Sequence, residues 1–207
     1  MKLKVCGMKY EENIRAIADL NPDYLGFIFY SKSKRNFEGE IPALSNDIKK
    51  TGVFVNESID KVNSLIEEHQ LQAVQLHGDE SVSYVKELKS KNEDVEIIKV
   101  FGIKDSFDFS ALEDYQSVVD YFLFDTKGKE RGGNGVKFDW MVLKDYPYQT
   151  PIFLSGGIGL EDIEEIRKIQ TTGLPIYAVD VNSKFEIEPG LKNMEDVQRF
   201  KTNLVAL

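Results

Sequence analysis

The segment Ile152-Phe153-Leu154-Ser155-Gly156-Gly157-Ile158-Gly159, running on into residues 160–169, holds one complete structural unit. A short apolar run reads as a buried strand, a glycine cluster ends it, and Ile163, Ile166 and Ile169 then recur three apart. Strand side chains alternate with period two, so residues three apart belong to a helix face and the chain changes from strand to helix across the glycines. A strand that continues into a helix is half of a parallel crossover, which needs a neighbouring strand to be stable. The fold is therefore decided by how often this unit recurs.

It recurs along the whole chain. Runs rich in β-branched, aromatic and aliphatic residues fall at 3–6, 24–29, 51–55, 73–76, 95–100, 121–124, 152–155 and 176–180. Their starts lie about 20 to 30 residues apart, room for one strand and one helix each. Helical stretches fit between most of them. Residues 11–19 carry Ile14 and Ile17 on one face; Val62, Leu65 and Ile66 follow Ser58, with Asn56 or Ser58 as cap; Val82, Val85 and Leu88 lie three apart in 80–89. Residues 194–200 form the last helix, and the interval from 100 to 121 has room only for a short one near 110–115. Eight such units in 207 residues point to a single-domain (β/α)8 barrel over residues 1–207. A doubly wound open sheet would usually use five or six strands.

Composition narrows the function. With 26 Lys and Arg against 35 Asp and Glu, a net charge of −9 excludes nucleic-acid binding through a basic surface. An anionic substrate must then be held by local positive charge or by helix N-termini. No uncharged stretch approaches the roughly 20 residues of a membrane span, and Met1-Lys2-Leu3-Lys4 runs into a strand with no apolar signal region. Cys6 is the only cysteine, so no intramolecular disulfide forms and a reducing cytoplasm is the expected location.

A barrel gathers its chemistry at the C-terminal ends of its strands. Strand one ends at Cys6-Gly7, strand four at His77-Gly78, strand six at Asp125-Thr126, strand seven at Ser155-Gly156-Gly157, and strand eight at Asp180-Val181-Asn182-Ser183. Strand two runs into Tyr30-Ser31-Lys32-Ser33-Lys34-Arg35, a basic loop in an acidic protein. Alternation puts Lys4 with Cys6 on one face, and Tyr121 and Leu123 with Asp125 on another, so Cys6 and Asp125 can point into the same mouth. Each group also has a plainer reading. Cys6 can be a small buried hydrophobe, Asp125 a turn cap, the Lys32–Arg35 run a solvated loop, and His77 a hydrogen-bonded structural residue. His69 reads as solvent-facing. Arg35 differs from its lysine neighbours because a guanidinium can clasp a carboxylate through two parallel bonds. The Ser155–Gly159 cluster before a helix reads as a phosphate cradle, at the strand where barrels commonly hold phosphate. Gly132-Gly133-Asn134-Gly135 reads either as a loop that closes over substrate or as a plain exposed loop.

Taken together these segments resemble the phosphoribosylanthranilate isomerase family of tryptophan biosynthesis. The matching stretches are Lys4-Val5-Cys6-Gly7-Met8, Gly26 to Arg35, Gly52-Val53-Phe54-Val55-Asn56, and Ala73-Val74-Gln75-Leu76-His77-Gly78. Phe124-Asp125-Thr126, Gly132-Gly133-Asn134-Gly135 to Trp140, Leu154-Ser155-Gly156-Gly157-Ile158, and Ala178-Val179-Asp180 through Pro189-Gly190 complete the set in the family's order. The resemblance implies a cofactor-free, metal-free Amadori rearrangement of a small phosphoribosyl substrate, N-(5-phosphoribosyl)anthranilate, to 1-(2-carboxyphenylamino)-1-deoxyribulose 5-phosphate. It implies Asp125 as general acid and Cys6 as general base, Arg35 on the anthranilate carboxylate, and Gly156, Gly157, Asn182 and Ser183 around the phosphate. His77 is a further candidate for contact with substrate. The chain is expected to act as a monomer or homodimer. A cysteine base at neutral pH calls for a lowered pKa, which Lys4 on the same face could supply, and an aspartic acid donor calls for a raised one. Two positions depart from the family pattern: Asn182 stands where serine is frequent, and Lys184 where glycine is frequent. Lys184 places the backbone path of that loop in question.

Two other readings compete: another barrel enzyme acting on a phosphosugar, either an epimerase or a histidine-pathway isomerase, and a phosphosugar-binding barrel without catalysis. A metal-dependent epimerase on the same fold would want several histidines, and only His69 and His77 exist. The histidine-pathway isomerase is expected to carry an aspartate at the end of strand one, where this chain has Cys6. A phosphosugar-binding barrel without catalysis would have no need of both Cys6 and Asp125.

Overall fold

The computed structural model describes residues 1–126 and 137–205. Eight parallel strands, β1 (Lys2–Val5), β2 (Tyr24–Ile28), β3 (Lys49–Phe54), β4 (Ala73–Leu76), β5 (Glu96–Ile103), β6 (Tyr121–Thr126), β7 (Ile152–Leu154) and β8 (Ile176–Val181), close into a barrel in sequence order. β8 pairs back onto β1 with Lys4 opposite Asp180. The gathered end of each strand lies within a few residues of the position its composition predicts.

The helices are fewer than the strands. α1 (Glu11–Ala18), α2 (Ile59–His69), α3 (Val82–Lys91), α4 (Ile163–Gln170) and α5 (Met194–Val205) pack on the outside. α2 starts where expected, with the Ser58 hydroxyl accepting from the Lys61 amide at 3.3 Å, and it buries Val62, Leu65 and Ile66. In α4 the predicted Ile163, Ile166 and Ile169 are the buried face. Among the described residues, the connections after β5 and β6 contain only 3-10 turns, at Phe109–Tyr115 and Trp140–Asp145. Between β2 and β3 there is no helix. That loop bridges Ile28 to Asn36 and then drops Phe37 into the core, edge-on to Phe27 at 5.1 Å. Phe37, Ile41 and Leu44 cover the barrel wall that a helix would otherwise cover.

One sequence reading is overturned here. His69 does not face solvent: it is 7% exposed, and its ring stacks on Phe29 at 5.2 Å, with Phe54 on the other face of Phe29 at 5.5 Å. The residue ends α2 on its inner side, where its ring extends the apolar layer over the β2–β3 connection. No helix among the described residues is long and apolar enough to cross a membrane.

Inside the barrel, Tyr24, Ala73, Ile98, Leu123, Phe153 and Ala178 form one packed cluster. At its N-terminal end Tyr121 and Tyr177 stack at 4.7 Å, and the Tyr24 hydroxyl donates to Glu96 at 2.9 Å. This aromatic plug closes one end of the barrel and leaves polar side chains to the other, at the strands' C-terminal ends.

Candidate active site

The parity expected for β1 and β6 holds. Leu123 belongs to the interior cluster, which puts Asp125, two residues on, on the interior side as well. Lys4 is fully enclosed, and its ammonium lies 2.8 Å from Asp180 Oδ1 across the β1–β8 pair. One turn of the pleat further along β1, the Cys6 thiol feels the charges of both Lys4 and Asp180. Asp125 feels the same two charges from β6. Cys6 and Asp125, far apart in sequence, therefore share one electrostatic environment. The thiol lies against β2 at Gly26, where an added Cβ would sit 2.7 Å from Sγ.

Asp125 and Cys6 are shifted in the same direction. Burial pushes Asp125 up to about 6; the Thr126 amide at 2.8 Å opposes the shift, and Asp180 adds to it. This is the protonatable carboxyl that a general acid requires. The expected lowering of Cys6 is not observed. Burial pushes the thiol up, Asp180 pushes it further, and the pull of Lys4 and Lys192 does not offset them. Lys4 is shared: it bonds Asp180 at 2.8 Å and interacts with the thiol as well, so the field expected for Cys6 is divided between them. Asp180 thus tunes both groups, and its role was missed because its strand-end position carries no sequence signal of partnership with Lys4.

His77 stands beside the acid, with Nε2 3.5 Å from Asp125 Oδ2, while its Nδ1 lies 3.3 Å from Gln75 Nε2. The glycine loop after β7 adopts the left-handed backbone that glycine permits, with φ of +95° at Gly156 and +66° at Gly157. A Cβ at Gly156 would lie 2.6 Å from Thr126 Oγ1, which packs this loop against the end of β6. The start of the following helix is already served by an internal anion, since Asp162 accepts from the Gly159 amide at 2.7 Å. Gly132–Gly135 lie outside the described residues.

Arg35 is brought to the same mouth. Glu186 clasps it in a fork, with Nε at 2.8 Å from Oε1 and Nη2 at 2.7 Å from Oε2. Glu186 also accepts from Lys192 Nζ at 2.7 Å, and that ammonium reaches Asn182 Oδ1 at 2.6 Å. The Asn182 side-chain oxygen is thereby engaged by Lys192. Glu186 and Lys192 were not singled out in the sequence; they come from β9 (Glu186–Glu188) and β10 (Leu191–Lys192), a hairpin after the barrel closes. Lys184 needs no left-handed backbone: it lies exposed in a 3-10 turn, Ser183–Phe185, and the loop path in question is one that lysine can adopt. Among the described residues no group of three His, Cys, Asp or Glu could hold a metal ion.

The sequence model of N-(5'phosphoribosyl)anthranilate (PRA) isomerase matches residues 3–203. The chain belongs to the phosphoribosylanthranilate isomerase family. It is 42% identical to the N-(5'-phosphoribosyl)anthranilate isomerase of Parabacteroides distasonis, covering 97% of this chain and 91% of that one. With the enzyme of the same name from Phocaeicola vulgatus it is 38% identical, covering 99% and 98%. The fold superposes on the phosphoribosylanthranilate isomerase of Thermotoga maritima with a TM-score of 0.82, at 31% identity and with both chains covered completely. A phosphoribosylanthranilate isomerase solved with reduced 1-(o-carboxyphenylamino)-1-deoxyribulose 5-phosphate superposes with a TM-score of 0.80, at 28% identity and again over both complete chains.

Proposed function

We propose that this member of the phosphoribosylanthranilate isomerase family runs its Amadori rearrangement, a step of tryptophan biosynthesis, as acid–base chemistry between Asp125 and Cys6. The observation that carries the reading is the shared position of a protonatable carboxyl and a lone thiol, both set by Lys4 and Asp180. Asp125 gives its proton to the furanose ring oxygen of N-(5-phosphoribosyl)anthranilate. The C1–O bond breaks, and the nitrogen lone pair forms a C1=N double bond, a protonated Schiff base. The Cys6 thiolate takes the proton from C2, and those electrons form C1=C2 while the nitrogen regains its lone pair. The enolamine then tautomerises, with a proton returning to C1 and a ketone forming at C2.

The raised thiol suits this order of events. Ring opening places positive charge on the substrate next to Cys6, which favours the thiolate at the step that uses it. Arg35 meets the anthranilate carboxylate through its guanidinium. The amides of Gly156 and Gly157, with Asn182 and Ser183 across the mouth, hold the phosphate. A positioned acid or base contributes about 10²- to 10⁴-fold. Cys6→Ser and Asp125→Asn are each expected to lower kcat by that order in the folded protein, with conversion followed by the loss of anthranilate-type fluorescence. Near-native turnover by either purified variant would sink the assignment of that residue.

A further inference from the structure

The trio Arg35, Glu186 and Lys192 holds more charge, more deeply, than the stability of the hairpin requires. The Lys192 side chain is fully enclosed, and those of Glu186 and Arg35 are 5% and 13% exposed. A buried ion pair seldom adds stability over apolar residues of the same volume, because desolvation offsets the attraction. What it does supply is geometry. Lys192 cannot shift along the chain, because Asn13 on α1 accepts from its amide at 2.8 Å and donates to its carbonyl at 2.9 Å. β9 and β10 pair Lys192 with Glu186 just past a register shift at Leu191/Lys192. Glu186 is further fixed by the Gly190 amide at 3.0 Å. Burial alone would push the Glu186 carboxyl up, yet Arg35 and Lys192 hold it below the ordinary glutamate range, so it stays ionised. The three charges sum to one surplus positive charge beside the mouth of an otherwise acidic protein.

The trio also reaches the catalytic strand. A Cβ on Gly7, the residue after Cys6, would meet both Arg35 Cδ and Asn182 Oδ1 at 2.8 Å. Arg35 and Asn182 thus lie side by side over the end of β1, one held by Glu186 and the other by Lys192.

We propose that Glu186 and Lys192 are positioning residues for substrate recognition: Glu186 fixes the plane of the Arg35 fork, and Lys192 anchors both Glu186 and Asn182 against Gly7. This rests on the reading of Arg35 as the partner of the anthranilate carboxylate. Neither residue touches the reacting carbons, so losing Glu186 falls on binding of the carboxylated ring, and KM rises while kcat changes little. Losing Lys192 raises KM too, and lowers kcat because its charge also acts on Cys6.

The test compares two ligands on the wild type and on Glu186→Gln, Lys192→Met and Arg35→Ala. One is reduced 1-(o-carboxyphenylamino)-1-deoxyribulose 5-phosphate, and the other is the same compound without the aryl carboxylate. Glu186→Gln is expected to weaken the carboxylated ligand about tenfold, the scale of a charge-assisted bond held out of line, and to leave the other ligand unchanged. Lys192→Met, which also releases Asn182, is expected to weaken both, the carboxylated one more. If Arg35→Ala shows that selectivity and the other two variants do not, the positioning role is overturned while the Arg35 reading stands. If Arg35→Ala weakens both ligands alike or neither, the Arg35 reading itself fails. Should Glu186→Gln not fold, Glu186→Asp keeps the charge but retracts it by one methylene. Carboxylate-selective weakening in that variant supports the proposal, and equal loss for both ligands overturns it.

Discussion

Lys4 and Asp180, 176 residues apart in sequence, meet at 2.8 Å inside the barrel, and the Cys6 thiol competes with Asp180 for the same ammonium. Lys4 is held firmly as a cation by these anionic neighbours despite its burial. The lysine that stabilises a thiolate is thus already occupied in the resting site, and Asp180 acts as a brake on Cys6.

Asp180→Asn releases that brake. The variant keeps the side-chain volume and removes the negative charge, so the thiol is expected to ionise at lower pH. Alkylation of Cys6 by iodoacetamide, followed from pH 6 to 10, should have its midpoint moved to lower pH relative to the wild type. The variant leaves Lys4 without its carboxylate, which for a buried pair costs about 3–5 kcal/mol, part of it recovered when the thiolate forms. Denaturant unfolding measures that loss. An unmoved alkylation midpoint would remove Asp180 from control of the base.

The pH dependence of kcat/KM follows from the two shifts. In the proposed mechanism the active free enzyme has Asp125 protonated and Cys6 ionised, a one-proton form of the pair. With Asp125 at about 6 and Cys6 raised, that form is the minor of the two one-proton tautomers. The total one-proton population still rises as pH passes about 6 and falls once the thiol titrates. Activity is expected to climb through pH 6, to stay level across neutrality and to decline only in the alkaline range. Asp125→Asn should abolish the step at about pH 6 and leave residual activity that climbs with pH until the thiol itself titrates in the alkaline range. A profile that falls through pH 6 in the wild type would contradict the pairing.

His69 makes a separate prediction about stability. Burial holds its imidazole below the ordinary histidine value, with Glu68 and Glu40 opposing and Lys50 and Lys61 assisting. An unfolded histidine titrates near about 6.5, so below that the unfolded chain binds the extra proton first. The stability that His69 contributes is therefore complete above about pH 6.5 and is lost as pH falls through its lower folded value. His69→Phe keeps a ring against Phe29 and cannot be protonated. Urea unfolding at pH 7.5 and 5.5 is expected to show a smaller acid loss in this variant than in the wild type. Equal losses would mean that other groups carry the acid sensitivity.

Much of the molecule was legible in one dimension. Eight apolar runs separated by helical periodicity specify eight parallel strands, because each pattern can bury its apolar residues in only one kind of local structure. Strand ends are equally local, so Cys6, Asp125, Arg35 and the Gly156-Gly157 loop could be placed at the barrel mouth from residue order alone. The helix-free β2–β3 connection and the burial of His69 were not legible, because both depend on Phe37 and His69 meeting Phe29 across segments that no local pattern joins. The electrostatics were hidden for the same reason. Whether Lys4 lowers Cys6 or neutralises Asp180 is decided by distances of about 3 Å between β1 and β8, and by how far both are shut off from water. Glu186 and Lys192 reach Arg35 only because a hairpin folds back after the last strand. Sequence by itself therefore determined the scaffold and the residue types at its mouth, since these follow from local periodicity and chain order. Tertiary structure alone decided which charges pair, because Coulomb energy and desolvation depend on separations and burial that a linear order does not contain.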